Sequence, residues 1–216
     1  MAKVSYQTSH VRGLREGSGV EFSEVVRRRR MVRRYLPEAV SDEVLRRIVE
    51  TGRRGPSAGF TQGQSFVVVT DPGLRGEIAG LAGEGAYTSR GFEPWISEAP
   101  VHVVVCTSEQ DYRDRYRAPD KLGPGGELDW PVPFWYLDAG CSLMLLLLAA
   151  VDEGLAAGFL ALESYDGLRA LLRIPAEVQP IGIVTIGKPA PDRRSGSLDR
   201  GRRPASEVIH HDRWGA

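Results

Sequence analysis

At 216 residues the chain is within reach of a single domain, and it can bury enough apolar surface on folding to need no disulfide staples. Lys+Arg and Asp+Glu each number 28, so the formal net charge is zero and the basic excess of a dedicated nucleic-acid binder is missing. Cys106 and Cys141, the two cysteines, each lie in an apolar run, the pattern of buried thiols in a reducing, cytoplasmic compartment.

Residues 1–19 are polar and glycine-bearing and lack the apolar core of a signal peptide, so they read as an arm ahead of one domain spanning residues 20–216. A first helix is expected from about Glu21 to Arg30, with Phe22, Val25 and Val26 on one face. It leads into "VVRRRRMVRRY", Val25 to Tyr35, six arginines in eleven residues. At about 100° per residue, Arg29 and Arg33 fall inside the apolar stripe and Arg30 beside it, whereas Arg27 and Arg28 point away. A solvated arginine face would avoid that stripe, because an unpaired buried charge is costly. Arg29 and Arg33 therefore need an anion, either an internal carboxylate or a ligand phosphate. That placement argues against a polyanion-binding surface.

Ser41 is a good N-cap for a second helix, with Asp42 and Glu43 in its first turn and Val44, Leu45, Ile48 and Val49 as its stripe. Gly52 is its expected stop. "SFVVVTD" is a β-branched strand ended by Asp71-Pro72-Gly73, and "LRGEIAGLAGEGA" a short helix that breaks up in glycine. "APVHVVVCT" is a second buried strand. The polar, Gly- and Pro-rich stretch 108–133 is long for a connection, so it has a function of its own or is mobile. The apolar run Ala139 to Val151 is a helix greasy on nearly all sides, too short to cross a bilayer and suited to a core or a subunit interface. "DGLRALLRI" is a short helix and "QPIGIVTIGKP" a third strand. Helices with few strands make the fold α+β, with 189–216 as a C-terminal extension.

"GPSAGFTQGQ", Gly55 to Gln64, combines small residues, hydroxyls and an amide, so its backbone N–H groups can approach a flat polar ligand. The glycines at 80, 83 and 85 do not follow the G-x-G-x-x-G order and no strand leads into them, which excludes a Rossmann fingerprint and a P-loop. No G-x-S-x-G elbow and no metal-ligand spacing occurs, and His210-His211 reads as structural.

The order of these features resembles the FMN-dependent nitroreductases. That family opens with a helix ending in Arg-Arg-Ser-Val-Arg-x-Phe, which "RRMVRRY" matches from Arg29 to Tyr35. It continues with Pro-x-Val-Ser-x-Glu-x-Leu, matched by "PEAVSDEVL", then Ala-Pro-Ser-Ala-x-Asn-x-Gln-Pro and a strand, matched by "GPSAGFTQGQSFVVV". "WISEAPVHVVV", "DAGCSLMLLLLAAVDEGLAAGF" and "GRRPASEVIHHDRWG" are similar to its middle strand, central helix and closing Arg-Arg-Pro segment. The likeness covers about Glu21 to Gly215.

The resemblance implies a three-layer sandwich around a mixed, mostly antiparallel sheet of about five strands. It also implies an intertwined homodimer with two FMN sites at the interface and exchanged C-terminal segments. Arg29 and Arg30 would take the FMN phosphate and ribityl region, and Arg33 the pyrimidine side of the ring. Pro56, Ser57 and Ala58 would pack near the ring, Leu160 and Ala161 would lie over it, and Arg202 and Arg203 would complete the phosphate clamp. Met31, Phe60 and Gln62 complete the candidate set. Met31 replaces a usual hydroxyl and Phe60 a usual Asn, Gly63 stands for the Pro after Gln62, and Ala161 for a frequent Gly. The implied activity is ping-pong reduction of nitroaromatics, quinones or similar small acceptors by NAD(P)H. The flavin would carry the chemistry, so no catalytic acid/base pair and no metal are expected. The alternative is a flavin-storing, flavin-fragmenting or dehalogenating relative that does not turn over NAD(P)H. Residues 108–135, which include Tyr112, Tyr116, Trp130, Phe134 and Trp135, are the candidate substrate lid. Neither a nucleic-acid nor a membrane partner is expected.

Overall fold

Four strands pair into one sheet in the order β1-β2-β4-β3: β1 (Gln64–Val69), β2 (Val101–Thr107), β3 (Ala156–Leu160) and β4 (Gln179–Gly187). The computed structural model describes residues 20–126, 128–193 and 195–215, so the expected arm 1–19 lies outside the described residues. All strand pairs are antiparallel, with registers Val67↔Val104, Val103↔Val184 and Phe159↔Val184. β2 is buried along its whole length, because it is central and both its faces are covered.

The helices are α1 (Phe22–Arg28), α2 (Asp42–Gly52), α3 (Pro72–Leu81), α4 (Glu84–Thr88), α5 (Glu109–Arg117), α6 (Phe134–Asp152) and α7 (Asp166–Leu172). On one face of the sheet, Leu45 and Ile48 of α2 and Leu146, Leu147 and Ala150 of α6 bury against Val101, Val103 and Val105. Each such side chain contributes about 1.5–3 kcal/mol by leaving water. Gly52 lets α2 close on α6, since a Cβ there would lie 2.6 Å from Leu146 Cδ2. On the other face, Ile78 of α3 and Leu168 of α7 meet Val104 and Cys106. This is the expected three-layer α+β arrangement, with four strands among the described residues rather than five. Its one parallel element among the described residues is an isolated bridge between Met31 and Ala157.

That bridge overturns the expected end of the first helix. α1 stops at Arg28, and the Val32 N–H donates to the Ala157 carbonyl at 3.1 Å. An exposed edge of β3 offers unpaired backbone groups, and pairing with them replaces two further helical residues. The helical angles assigned to Arg29, Arg30 and Arg33 therefore do not apply.

The polar stretch after β2 contains α5, capped by Ser108, whose Oγ accepts from Asp111 N. The "AAGFL" that follows the apolar helix is β3, not an extension of the helix. α6 begins at Phe134, giving 19 residues, long and apolar enough by length and composition to span a bilayer, contrary to the expectation from Ala139–Val151. Half of it packs inside the molecule, with Asp138 and Ser142 buried along it. The glycine-broken helix is two helices, α3 and α4, joined at Gly83 in the left-handed region. Both cysteines are free; Cys106 is buried and Cys141 half-buried.

Under α3 and α4 lies a buried polar cluster. Glu84 Oε1 accepts from the Trp95, Ile96 and Ser97 amides at 2.8, 2.6 and 3.2 Å, and its Oε2 accepts from Ser97 Oγ at 2.6 Å. Arg75 Nη1 donates to the Ser97 and Ala99 carbonyls. His102 donates from Nε2 to the Ile96 carbonyl at 2.7 Å, which fixes its tautomer and leaves Nδ1 buried without a partner.

Candidate functional site

The arginine-rich segment runs along the edge of β3. Val32 and Tyr35 are buried, and the Tyr35 hydroxyl meets Thr185 Oγ1 at 2.8 Å. Gly158 permits this approach: a Cβ there would sit 2.5 Å from the Val32 carbonyl oxygen. Burial raises the Tyr35 pKa, so its hydroxyl stays protonated.

The arginines separate by what they meet. Arg27 and Arg28 are exposed and pair with Glu24. Arg30 and Val32 line a cavity of about 270 Å³ with Arg28, Val151, Leu155 and Pro189, and Arg30 reaches Asp192 at 3.8 Å. Arg29, Met31 and Arg33 do not line it, as the period-two alternation of an extended segment requires. Arg29 is half-buried and has no side-chain hydrogen bond or ion pair among the described residues. The Arg33 N–H donates to Asp192 Oδ2 at 2.8 Å, and its guanidinium lies 5.9 Å from the centroid of the buried Trp95 ring. Leu160, at the end of β3, packs against the cluster that contains Val32, Tyr35 and Trp95. Ala161, next in the chain, is exposed.

Loop 55–62 sits elsewhere, on α5 and the N-terminal half of α6. Pro56 is exposed, and Ser57 and Ala58 are half-buried. The Ala58 N–H donates to Asp138 Oδ2 at 2.7 Å, and Arg115 Nε donates to the Gly59 carbonyl at 2.9 Å. Gly59, Phe60 and Gln62 have φ of 63°, 56° and 56°. For Phe60 and Gln62 this left-handed backbone costs on the order of 1–3 kcal/mol each and persists only where the surroundings hold it. The holding contacts are close: a Cβ at Gly59 would lie 2.8 Å from the Tyr116 ring, and one at Gly63 2.7 Å from the Tyr112 ring. Phe60 is 77% exposed.

Among the described residues no hydrogen bond or ion pair joins loop 55–62 to residues 29–33 within one chain. None joins the tail arginines to either: Arg203 bonds Glu207 in its own turn, and Arg202 has no partner. In the stretch 108–135, Trp130 is the hub of an aromatic cluster, with ring centroids 4.6 Å from Tyr116, 5.8 Å from Trp135, 5.9 Å from Phe134 and 6.3 Å from Tyr112. Sequence reasoning missed Asp138, Trp95 and Asp192. Asp138 alone left a signal, an acidic residue inside an otherwise apolar helix.

Four likenesses bear on what this arrangement is. The family model described as "Nitroreductase family" matches residues 26–188. The putative NADH dehydrogenase/NAD(P)H nitroreductase of Methanothermobacter thermautotrophicus is 28% identical over 211 residues, covering 96% of this chain and 94% of that protein. A nitroreductase family protein from Streptococcus pneumoniae superposes with a TM-score of 0.69 at 21% identity, over 88% of this chain and 100% of that one. The NADPH:FMN oxidoreductase of Vibrio harveyi, solved in complex with NAD+, superposes at 0.67 and 23% identity, over 90% and 78%. Because the family model spans most of its length, this chain belongs to the nitroreductase family.

Proposed function

We propose that the protein is an FMN-dependent NAD(P)H oxidoreductase that reduces small acceptors such as nitroaromatics or quinones. The observation that carries this is the cationic edge of β3. Arg29 has no counter-ion among the described residues, and the Arg33 guanidinium lies over Trp95 while Asp192 takes the Arg33 backbone N–H. A half-buried arginine without a partner fits a ligand anion, and a phosphate dianion takes several forked donors. The residues present therefore fit FMN. Arg29 would hold the phosphate with Arg202 and Arg203, Arg33 would face the pyrimidine side, and Leu160 and Ala161 would lie along the ring; Arg30, on the other side of the extended segment, turns to Asp192 instead. Bound there, the flavin would supply hydride transfer from NAD(P)H to the acceptor, while the protein supplies orientation and a cation that favours the reduced, anionic ring.

The site needs a second copy. Loop 55–62 and the β3 edge share no hydrogen bond or ion pair among the described residues within one chain, and α6 leaves Leu137 and Met144 exposed two turns apart on one face, with Tyr136 exposed beside Leu137. A homodimer in which the loop of one protomer covers the β3 edge of the other would join the two halves. Residues 108–135 would act as the substrate lid; within them Trp130 packs against Tyr116 of α5 and Trp135 of α6. The free cysteines suit a reducing, cytoplasmic setting.

The test is direct. Purified protein is expected to be yellow and to release FMN rather than FAD on heating, and anaerobic NADH or NADPH should bleach it. Failure to bind micromolar FMN would refute the proposal. FMN that binds but stays oxidised with both nucleotides would favour a flavin-storing or otherwise specialised relative.

A further inference from the structure

The turn at residues 95–97 is gripped from three elements. Glu84 of α4 accepts the Trp95, Ile96 and Ser97 amides, and the Ser97 hydroxyl is its fourth donor. His102 of β2 donates to the Ile96 carbonyl, and Arg75 of α3 to those of Ser97 and Ala99. Glu84 is buried and forms no ion pair among the described residues, so these donors alone satisfy its carboxylate.

What the turn carries is Trp95. Its ring is buried with Val32 and Tyr35 of the arginine segment, and its indole N–H is buried without a partner. No side-chain hydrogen bond fixes the ring, so packing and the backbone that Glu84 grips set its position. Over it lies the Arg33 guanidinium, 5.9 Å from the ring centroid. Arg33 is exposed, and its guanidinium has no hydrogen bond or ion pair among the described residues. Asp192 takes the Arg33 backbone N–H and Arg30 instead. A carboxylate on the guanidinium would hold it too, but would neutralise it and occupy its N–H donors. A ring face holds the cation and leaves both its charge and its donors to a ligand.

We propose that Trp95 and Glu84 are positioning residues for Arg33: the Trp95 ring holds the guanidinium at the β3 edge as an unneutralised cation, and Glu84 holds the ring there through the turn 95–97. That the cation then serves a flavin rests on the FMN reading above.

The experiment uses the full-length protein as wild type, Trp95→Phe, Trp95→Leu, Glu84→Gln and Arg33→Ala. Trp95→Leu and Glu84→Gln are each also combined with Arg33→Ala, and Ile96→Val serves as a control for lost packing in the same turn. Without ligand, NMR of the Arg33 Nε–H, assigned by its absence in Arg33→Ala, reads the stack. The ring current should displace this signal from those of the other arginines in wild type, Trp95→Phe and Ile96→Val; the displacement should vanish in Trp95→Leu and shrink in Glu84→Gln. With FMN, Trp95→Leu is expected to raise Kd about threefold to fivefold, the size of an exposed cation–π contact, while Trp95→Phe and Ile96→Val stay within about twofold. In the Arg33→Ala background, Trp95→Leu should change Kd by less than about twofold, because it acts only through Arg33. An Arg33 signal that is the same in wild type and Trp95→Leu overturns the proposal. So does a loss of affinity as large without Arg33 as with it, or as large in Ile96→Val as in Trp95→Leu, since Trp95 would then be core packing alone. Should Trp95→Leu not fold, Glu84→Gln with and without Arg33→Ala carries the same decision. If wild type takes up no FMN, the flavin reading fails by itself, and the Arg33 signal decides the positioning: displacement reduced in Glu84→Gln upholds it, and an unchanged signal overturns it.

Discussion

Gly158→Ala tests how the arginine segment is attached to the sheet. The new methyl group would lie 2.5 Å from the Val32 carbonyl oxygen, 2.9 Å from Thr185 Oγ1 and 3.1 Å from the Tyr35 hydroxyl. All three belong to buried residues, one of them is backbone, and the Tyr35–Thr185 hydrogen bond at 2.8 Å runs through the same space. Overpacking a tight core costs about 1–3 kcal/mol, and a disturbed buried hydrogen bond about 1 kcal/mol more. The expected loss is about 2–4 kcal/mol, or roughly 4–16 °C in Tm for a chain of this size. The segment should lift from β3, taking Arg29 and Arg33 with it, so FMN affinity should fall by at least about tenfold. Thermal unfolding followed by circular dichroism, without added flavin, measures the first effect, and fluorescence quenching by the protein measures the second. Gly76→Ala is the control: its Cβ meets nothing within 4 Å in α3, so it should stabilise by about 0.5–1 kcal/mol. A Gly158→Ala protein melting within about 2 °C of wild type, with undiminished FMN affinity, refutes the attachment described here.

The other predictions use different parts of the molecule. Glu84→Ala strands the buried Trp95 and Ile96 amides and should cost about 3 kcal/mol or more in urea unfolding, with Glu84→Gln losing about half as much; equal, small losses would contradict the role of the carboxylate. Burial lowers the His102 pKa to about 4 from an ordinary 6.5, so the unfolded chain binds more protons between those values. Its contribution to stability is complete above pH 6.5 and is lost as pH falls towards 4, at up to about 1.4 kcal/mol per pH unit. Urea midpoints at pH 5, 6 and 7 should show that slope, and His102→Gln should flatten it. Arg29→Ala should weaken FMN binding by about tenfold or more, whereas Arg27→Ala, whose guanidinium is exposed and paired to Glu24, should stay within about twofold; equal losses, read by flavin titration, would remove Arg29 from the site. Met144→Glu, on the exposed face of α6 that carries Leu137, should turn a dimer in gel filtration into a monomer that no longer retains flavin. A mutant that stays dimeric would place the interface elsewhere.

Much of this molecule is local, and local features can be read from the chain. Ser41 caps α2 and its Leu45 and Ile48 are buried, because cap and stripe lie within eleven residues of each other. β1 ends before Asp71-Pro72, and Asp71 caps α3 through Leu74 N, as turn chemistry dictates. β2 is a continuous apolar run because it is covered on both faces. α5 escaped notice because it is mostly charged and has a single buried residue, Tyr112; its cap and the Arg113–Glu109 pair stabilise it instead of an apolar stripe. β3 escaped because five small and apolar residues one turn after an apolar helix look like more of that helix.

What no local pattern could decide is where distant pieces of chain meet. The sequence alone identified the arginine segment and loop 55–62 as the residues to watch, and the family they resemble. The tertiary structure decided that α1 ends at Arg28, because the backbone beyond it satisfies its hydrogen bonds on Ala157 rather than on its own helix. It thereby sorted the arginines by the alternation of an extended segment instead of by helical angle. It also placed Asp138 80 residues away from the loop amide it holds. The physical reason is the same in both cases: a buried or edge polar group takes whichever partner the packed chain brings within reach, and that partner need not be near it in sequence.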